Sequence, residues 1–365
     1  MGQRGFFFIF LFVLSSKLLV AEPSVSDSIH IRNSHFFVPY TAYQQETNWL
    51  FGLTDGYYFK SNDLSRISSI TGSAGYTLLK QFVVNVSPRL YLGGKHWYLY
   101  SNLNFQHYYD YFYGIGNQPT NFKQDFTSNN IYLLLQPQFA LSKRFYLGAV
   151  FSFINVQAET DSTFEREKEF IYDKYGSAGW DEFRELNLGL VTTFDSRDNQ
   201  FYPEKGIYLK STLSTATQQL GSSYSYTQFM LDFRQYIPVF RNHVFAWQAL
   251  YTGIFSKNQV PFQLLPTVGG SDIMRGFRQG MYRDKEMMVF QTEYRLPIYK
   301  RLKAALFCSA GDVMNTNLQI VKLKMAYGGG LRYQLNDARV HLRFDIAKNN
   351  YSDNMQFYIT AAEAF

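Results

Sequence analysis

The chain has 365 residues, 46% of them hydrophobic and 18% charged, with 35 Phe, 29 Tyr and 4 Trp. So many aromatics with so few charges exclude a disordered chain or one that coats nucleic acid, and a net charge of +6 is mild. One cysteine, Cys308, excludes an internal disulfide framework and a thiolate zinc site, while a mean hydropathy of −0.23 suits either a soluble protein or a membrane β-barrel, whose strands are half polar.

The first element in chain order is a leader. Arg4, the uncharged run from Gly5 to Ser16, Lys17 and a possible cut after Leu19-Val20-Ala21 predict a secretory signal peptide over residues 1–21. That run is too short to span a bilayer, and no later segment holds about 18 consecutive apolar residues, so no transmembrane helix is expected. Residues 22–35 form a short N-terminal segment, and residues 36–365 read as one unit without a linker or repeat.

The period of that unit is two. Over 81–92, Phe82, Val84, Val86, Leu90 and Leu92 share one face while Gln81, Asn85, Ser87 and Arg89 share the other. Over 129–141, Ile131, Leu133, Leu135, Phe139 and Leu141 oppose Asn130, Gln136 and Gln138. Near the end, Val340, Leu342, Phe344 and Ile346 alternate with Arg339, His341, Arg343 and Asp345. Charges on the second face of so many strands require water on that side. Strands are predicted near 36–43, 48–60, 66–78, 81–92, 96–108, 128–141, 144–158, 184–194, 206–217, 223–237, 243–256, 286–297, 302–311, 322–334, 337–348 and 355–365. Sixteen is an even number. Short turns such as Gly93-Gly94-Lys95, Ser142-Lys143 and Asn336-Asp337 alternate with long loops at 109–127, 159–183 and 257–285. Tight turns at one rim and long loops at the other predict an all-β, transmembrane antiparallel β-barrel with periplasmic turns and extracellular loops. A secreted sandwich or propeller also has many strands, but sandwich strands run about 5 to 6 residues, shorter than these. Phe357, Ile359 and the terminal Phe365, on one face of the last strand, fit an outer-membrane barrel end.

Four motifs then stand in a telling order. Tyr113-Gly114-Ile115-Gly116-Asn117 lies in the third long loop. Asp195-Ser196-Arg197-Asp198-Asn199 with Pro203-Glu204-Lys205-Gly206 forms a turn. Gly269-Gly270-Ser271-Asp272-Ile273-Met274-Arg275-Gly276-Phe277 occupies the sixth loop, and Phe307 to Gly311 ends a strand. At these places in a sixteen-strand count they resemble the BamA/TamA-type outer-membrane assembly superfamily, the bacterial surface antigen barrels. In that family polypeptide-transport-associated domains precede the barrel; here Glu22 to about His35 leaves no room for one ahead of the first strand.

The resemblance implies that the sixth loop folds back into the lumen, with Arg275 of the Met274-Arg275-Gly276-Phe277 tetrad held by a carboxylate on the inner wall. Gly269, Gly270 and Gly276 would permit such a tucked hairpin, and a guanidinium can grip a carboxylate through two parallel hydrogen bonds. The family aspartate of Phe-x-Asp-x-Gly falls on Ser309, whose hydroxyl cannot neutralise a charge. Arg275 is therefore expected to pair with Glu293 or Asp345, both on the polar parity of their strands.

The segment with Asp195, Arg197, Asp198, Pro203 and Gly206 reads most simply as a turn whose Asp and Asn bond their own backbone, with a periplasmic contact surface as the alternative. Trp97, Tyr108, Tyr109, Tyr111, Phe112 and Tyr113 suit either interfacial girdles or lumen packing. The acidic residues of the fourth loop, interleaved with Arg166, Lys168 and Lys174, read as a solvated loop. No Gly-x-Ser-x-Gly elbow occurs, and the six histidines show no metal-ligand spacing. No enzyme activity, metal, cofactor or nucleic-acid partner is expected. The expected partners are outer-membrane lipid and, by resemblance, client outer-membrane proteins or a separate periplasmic chain, with location in the bacterial outer membrane. Pro39 in a short first strand would weaken the seam between first and last strands. Insertion or transport of proteins or lipids, a passive channel and a surface scaffold all fit the strand pattern; the resemblance favours the first.

Overall fold

The computed structural model describes residues 33–44, 48–60, 66–93, 96–118, 122–160, 162–315 and 323–365. The predicted signal peptide and most of segment 22–35 lie outside the described residues. Alternation of polar and apolar side chains produces long strands: β1 Ser34–Gln44, β2 Asn48–Phe59, β3 Ser68–Thr77, β4 Phe82–Leu92, β5 Trp97–Phe112, β6 Gln124–Ala140, β7 Phe145–Glu159, β8 Phe183–Asp195 and β9 Gly206–Ala216. The second half supplies β10 Tyr226–Phe240, β11 His243–Phe255, the two-residue pair β12 Thr267–Val268 and β13 Tyr282–Arg283, then β14 Glu286–Tyr299, β15 Leu302–Met314, β16 Lys324–Gln334, β17 His341–Asn349 and β18 Ser352–Ala361. Sixteen of these form one antiparallel sheet in chain order, from which only β12 and β13 stand apart, as a miniature hairpin inside the sixth loop.

The two faces of the sheet meet different solvents. On the outer face large apolar side chains stand open, Leu190 at 61% and Leu306 at 62%, with Leu103, Phe105, Ile131 and Ile346 around them. A belt of this extent would be costly in water and is what lipid requires. On the inner face His341, Arg343, Asp345, Glu293, Arg295 and Arg332 are buried. At the short-turn rim the β10–β11 and β14–β15 ladders each slip by one residue beside Pro238 and Pro297. Proline cannot donate to the ladder, so a bulge forms there.

Several boundaries differ from the sequence reading. β5 and β6 continue well past their predicted ends, to Phe112 and from Gln124, and narrow the third loop. The fourth loop, read as solvated, contains helix α1, Ser162–Tyr175, whose Ile171 is fully buried. Its charges lie outward and Ile171, Tyr172 and Tyr175 pack inward while Phe170 stands half-exposed, a pattern too sparse to stand out from sequence. β1 is eleven residues long rather than short, because Pro39 sits opposite Leu53 without interrupting the β1–β2 register. β18 ends at Ala361, so Phe365 is not part of the last strand.

Both rims are covered. At the long-loop rim Phe112, Phe126, Ile171, Trp180, Val260 and Phe262 build an apolar cap from the third, fourth and sixth loops. Phe112 and Phe262 lie 4.6 Å apart between ring centroids, and Trp180 and Phe262 4.9 Å, contacts that add to plain burial. At the short-turn rim the 196–205 turn lies over the lumen, Phe201 packing edge-on against Tyr58 at 4.9 Å and against Ala338 and Val340.

Candidate functional site

The sixth loop enters the barrel and places its tetrad against the inner wall of β14 to β18. Gly276 is the point of closest approach. Its φ of +112° lies in the left-handed region, and a side-chain carbon there would come within 3.0 Å of the Lys348 backbone. Its amide donates to Tyr358 Oη at 2.9 Å, and its carbonyl accepts from Asn349 Nδ2 at 2.6 Å. Met274, buried, donates its amide to Gln291 Oε1 at 3.0 Å; Gly270 donates to the Phe277 carbonyl at 3.1 Å, closing the base of the turn that Gly269 begins. Phe277 packs with Tyr282 and Tyr351.

Arg275 is thereby set between two acids. Its Nη2 donates to Glu293 Oε2 at 2.8 Å and its Nη1 to Asp345 Oδ2 at 2.7 Å, while the guanidinium carbon stands 3.5 Å from the Phe307 ring centroid. Ser309 makes no ionic contact; its hydroxyl donates to the Ala326 carbonyl at 3.5 Å. Three further arginines complete the cluster. Arg295 Nε donates to Glu293 Oε1 at 2.7 Å, Arg332 reaches Glu293, Asp345 and Glu363, and Arg343 joins Asp345 to Asp272 of the loop at 3.4 and 2.7 Å. All four guanidinium groups are buried, where an unpaired charge would be far costlier than a paired one. Sequence reasoning missed Arg295, Arg332, Arg343, Asp272 and Glu363. The signal for the arginines was present, since they share the inward parity of Glu293 and Asp345 on β14, β16 and β17.

Glu363 shows how the chain end joins the cluster. Burial pushes its carboxyl up, but Arg332 and Arg295 outweigh that and hold it below the usual carboxylate range. Ala362 takes a φ of +71°, which turns the chain away from β18 into the lumen. Phe365, expected on the face of the last strand that Phe357 and Ile359 share, is 3% exposed among Tyr236, Val244 and Ala246, and its main-chain oxygen accepts from Arg295 Nη2 at 2.9 Å. Phe357 keeps an exposed outer position, and Ile359 is half-buried.

The 196–205 turn is held from within. Asp195 receives Arg197 at 2.9 Å and Arg66, from the neighbouring turn, at 2.5 Å. Asp198 Oδ1 accepts the amides of Glu204 and Lys205, Pro203 offers its carbonyl to Arg295, and Gly206, at φ +111°, lies too near the Ser196 carbonyl for any side chain. The third-loop motif docks at the opposite rim: the Gly116 amide donates to the Arg283 carbonyl at 2.8 Å, and Asn117 meets the buried Lys324–Asp312 ion pair. Trp97 is exposed at the short-turn rim, whereas Tyr111 and Phe112 are buried, Phe112 in the apolar cap.

The sixth loop divides the interior. Below Asp272 lies a cavity of about 500 Å³ bounded by the inner faces of β1 to β4 and by Ile359 to Glu363; above Phe277 lies another of about 890 Å³. Residues 66–365 match the Omp85 superfamily domain. The chain belongs to the Omp85 superfamily. Among solved structures, this Omp85 barrel resembles BamA from Haemophilus ducreyi lacking POTRA domains 1–3, with a TM-score of 0.57 and 15% identity over 91% of this chain and 70% of that one. It also resembles CdiB from Escherichia coli, at TM-score 0.58 and 10% identity over 90% of this chain and 62% of that one. CdiB from Acinetobacter baumannii gives 0.53 and 13% over 90% and 58%. Among curated proteins none matches significantly. At such identities the likeness establishes the fold.

Proposed function

We propose that this Omp85 barrel is integral to the bacterial outer membrane and helps other proteins or lipids enter or cross it, without catalysing a reaction. One observation carries the reading. Every neighbouring pair of strands from β1 to β18 is laddered, yet no ladder joins β1 to β18 among the described residues. Two long strands thus present unpaired edges, and the cavity of about 500 Å³ opens along both. An unpaired edge is a template on which an incoming strand can form main-chain hydrogen bonds. The apolar cap and the 196–205 turn, which cover both rims, speak against a freely conducting pore. The likeness to BamA and CdiB supports the same direction; on this reading the clients are outer-membrane proteins or lipid, and a separate periplasmic chain is a further partner to seek.

The test is the quantitative outer-membrane proteome and lipid content of a strain depleted of this protein, beside one carrying only Arg275→Ala. Loss of a defined set of barrels or lipids in both strains supports the assembly reading and ties the arginine to it. If nothing but this protein disappears, assembly is excluded and a channel or scaffold takes its place.

A further inference from the structure

A second charged site lies inside the barrel, on the wall away from the sixth-loop cluster. Arg89 of β4 stands directly opposite Tyr100 of β5 in the ladder, its guanidinium carbon 5.6 Å from that ring centroid. Lys210 of β9, four strands farther round the sheet, brings its ammonium to 4.8 Å from the same centroid. The two charges therefore stand no farther apart than roughly one Debye length, about 10 Å at 0.1 M salt. Neither has a carboxylate within ion-pair distance among the described residues. Lys210 faces Asp232 across the β9–β10 ladder, but Arg234 binds both oxygens of that carboxylate and Gln248 binds one of them. Asp195 is likewise held by Arg66 and Arg197. This part of the wall carries Arg66, Arg89, Arg197, Lys210 and Arg234 against Asp195 and Asp232, an excess of positive charge with no acid left to meet it.

Neutral donors without partners stand beside it. Gln138 on β6, 0% exposed and opposite Tyr98, has no hydrogen-bond partner for its amide nitrogen or its oxygen. Thr193 on β8 lies opposite Lys210, and its buried hydroxyl is also unpartnered. Buried polar groups are normally satisfied, so the two unpartnered side chains mark a place where a ligand can be met; Arg89 itself is exposed to the lumen and Lys210 is half-buried. Here two cations, an amide and a hydroxyl on β4, β6, β8 and β9 are left together, and Arg89 also lines the cavity of about 500 Å³. Donors arriving from four strands suit a tetrahedral, multiply charged group better than a planar carboxylate.

We propose that this wall is a binding site for a phosphate group, seated on Tyr100 between Arg89 and Lys210, with Gln138 and Thr193 as neutral donors. Whether the phosphate is free or carried by a lipid headgroup, the chemistry that recognises it is the same. The site is separate from the Arg275 cluster and does not depend on the assembly reading.

The experiment is calorimetric titration of the full barrel in a phosphate-free, uncharged detergent with inorganic phosphate, and in parallel with dihexanoyl phosphatidic acid. Folding of each variant is checked by its heat-dependent gel mobility. Saturable one-site binding is expected. It weakens tenfold or more in Lys210→Gln and in Arg89→Gln, vanishes in the double variant, survives in Lys210→Arg, and is unchanged in Arg241→Gln at an exposed turn. Binding of inorganic phosphate alone identifies a free anion as the source, and much tighter binding of the lipid identifies a headgroup; either supports the site. Absence of saturable binding to both, or equal affinity in the folded double variant, overturns it.

Discussion

Arg332 lies against the same two carboxylates as Arg275, its Nη2 3.2 Å from Glu293 Oε2 and its Nη1 2.5 Å from Asp345 Oδ1. The acids that hold the sixth loop are thus already neutralised by the wall itself, and Arg275 is the removable member of the cluster. Glu293 is not: Arg275, Arg295 and Arg332 all converge on it. Arg275→Ala should cost about 1.5–3 kcal/mol, the range for hydrogen bonds to charged groups. Glu293→Ala should cost about 3–5 kcal/mol, because it leaves buried cations without their acid. Urea midpoints of the detergent-folded barrel, read by gel mobility, check the order; a larger loss for Arg275→Ala would mean that the wall does not neutralise itself.

Gly276→Ala should release the loop without touching a charge. Its φ of +112° and the Lys348 backbone at 3.0 Å leave no place for a methyl group, and forcing a non-glycine residue into such a conformation costs about 1–3 kcal/mol. The expected outcome is faster protease cleavage within 256–285 at unchanged strand content by circular dichroism.

The facing of the strands predicts a contrast between two arginine substitutions. Leu133→Arg, on the outer parity of β6, should cost about 2–4 kcal/mol near the bilayer midplane. Asn104→Arg, on the inner parity of β5, should cost little, since its side of the sheet is polar. Unfolding titrations in lipid vesicles compare them, and equal losses would reverse the assignment of inside and outside.

The tail around Glu363 should respond to acid in a definite direction. Its folded carboxyl is held below the value near 4.3 that it would have in an unfolded chain. Its contribution is therefore complete above that value and is lost as pH falls through the lowered folded pKa. Fluorescence of a probe attached beside Phe365 should report release of the tail on acidification, and Glu363→Gln should flatten the part of that transition due to this group.

Much of this was legible in the sequence because a period of two is hard to mistake over ten or more residues. The inward parity of Glu293 and Asp345 follows from it, and the structure brings both to Arg275. What escaped was whatever departs from the period. The inward turn of the tail depends on one residue, Ala362, at positive φ, and nothing in its side chain announces that. Helix α1 escaped because its first turns are dominated by charge, and among its described side chains Ile171 alone is fully buried. Arg295 meets Glu293 along β14 and Arg332 meets Asp345 across the β16–β17 ladder, pairs that inward parity allows; the contacts of Arg295 with Pro203 and Phe365 needed the paths of the 196–205 turn and the tail.

The two covers over the lumen are built from different residues, the cap from the third, fourth and sixth loops and the base from the 196–205 turn, its neighbours and the tail. They lie in series along the lumen, as two valves would. If they open independently, the chance that both stand open at one moment is the product of two small numbers, so ion leakage is suppressed far below what either valve alone would allow. On the proposed route, sideways passage between β1 and β18 would require neither cover to open, so the barrel would stay closed to small solutes while its wall is in use.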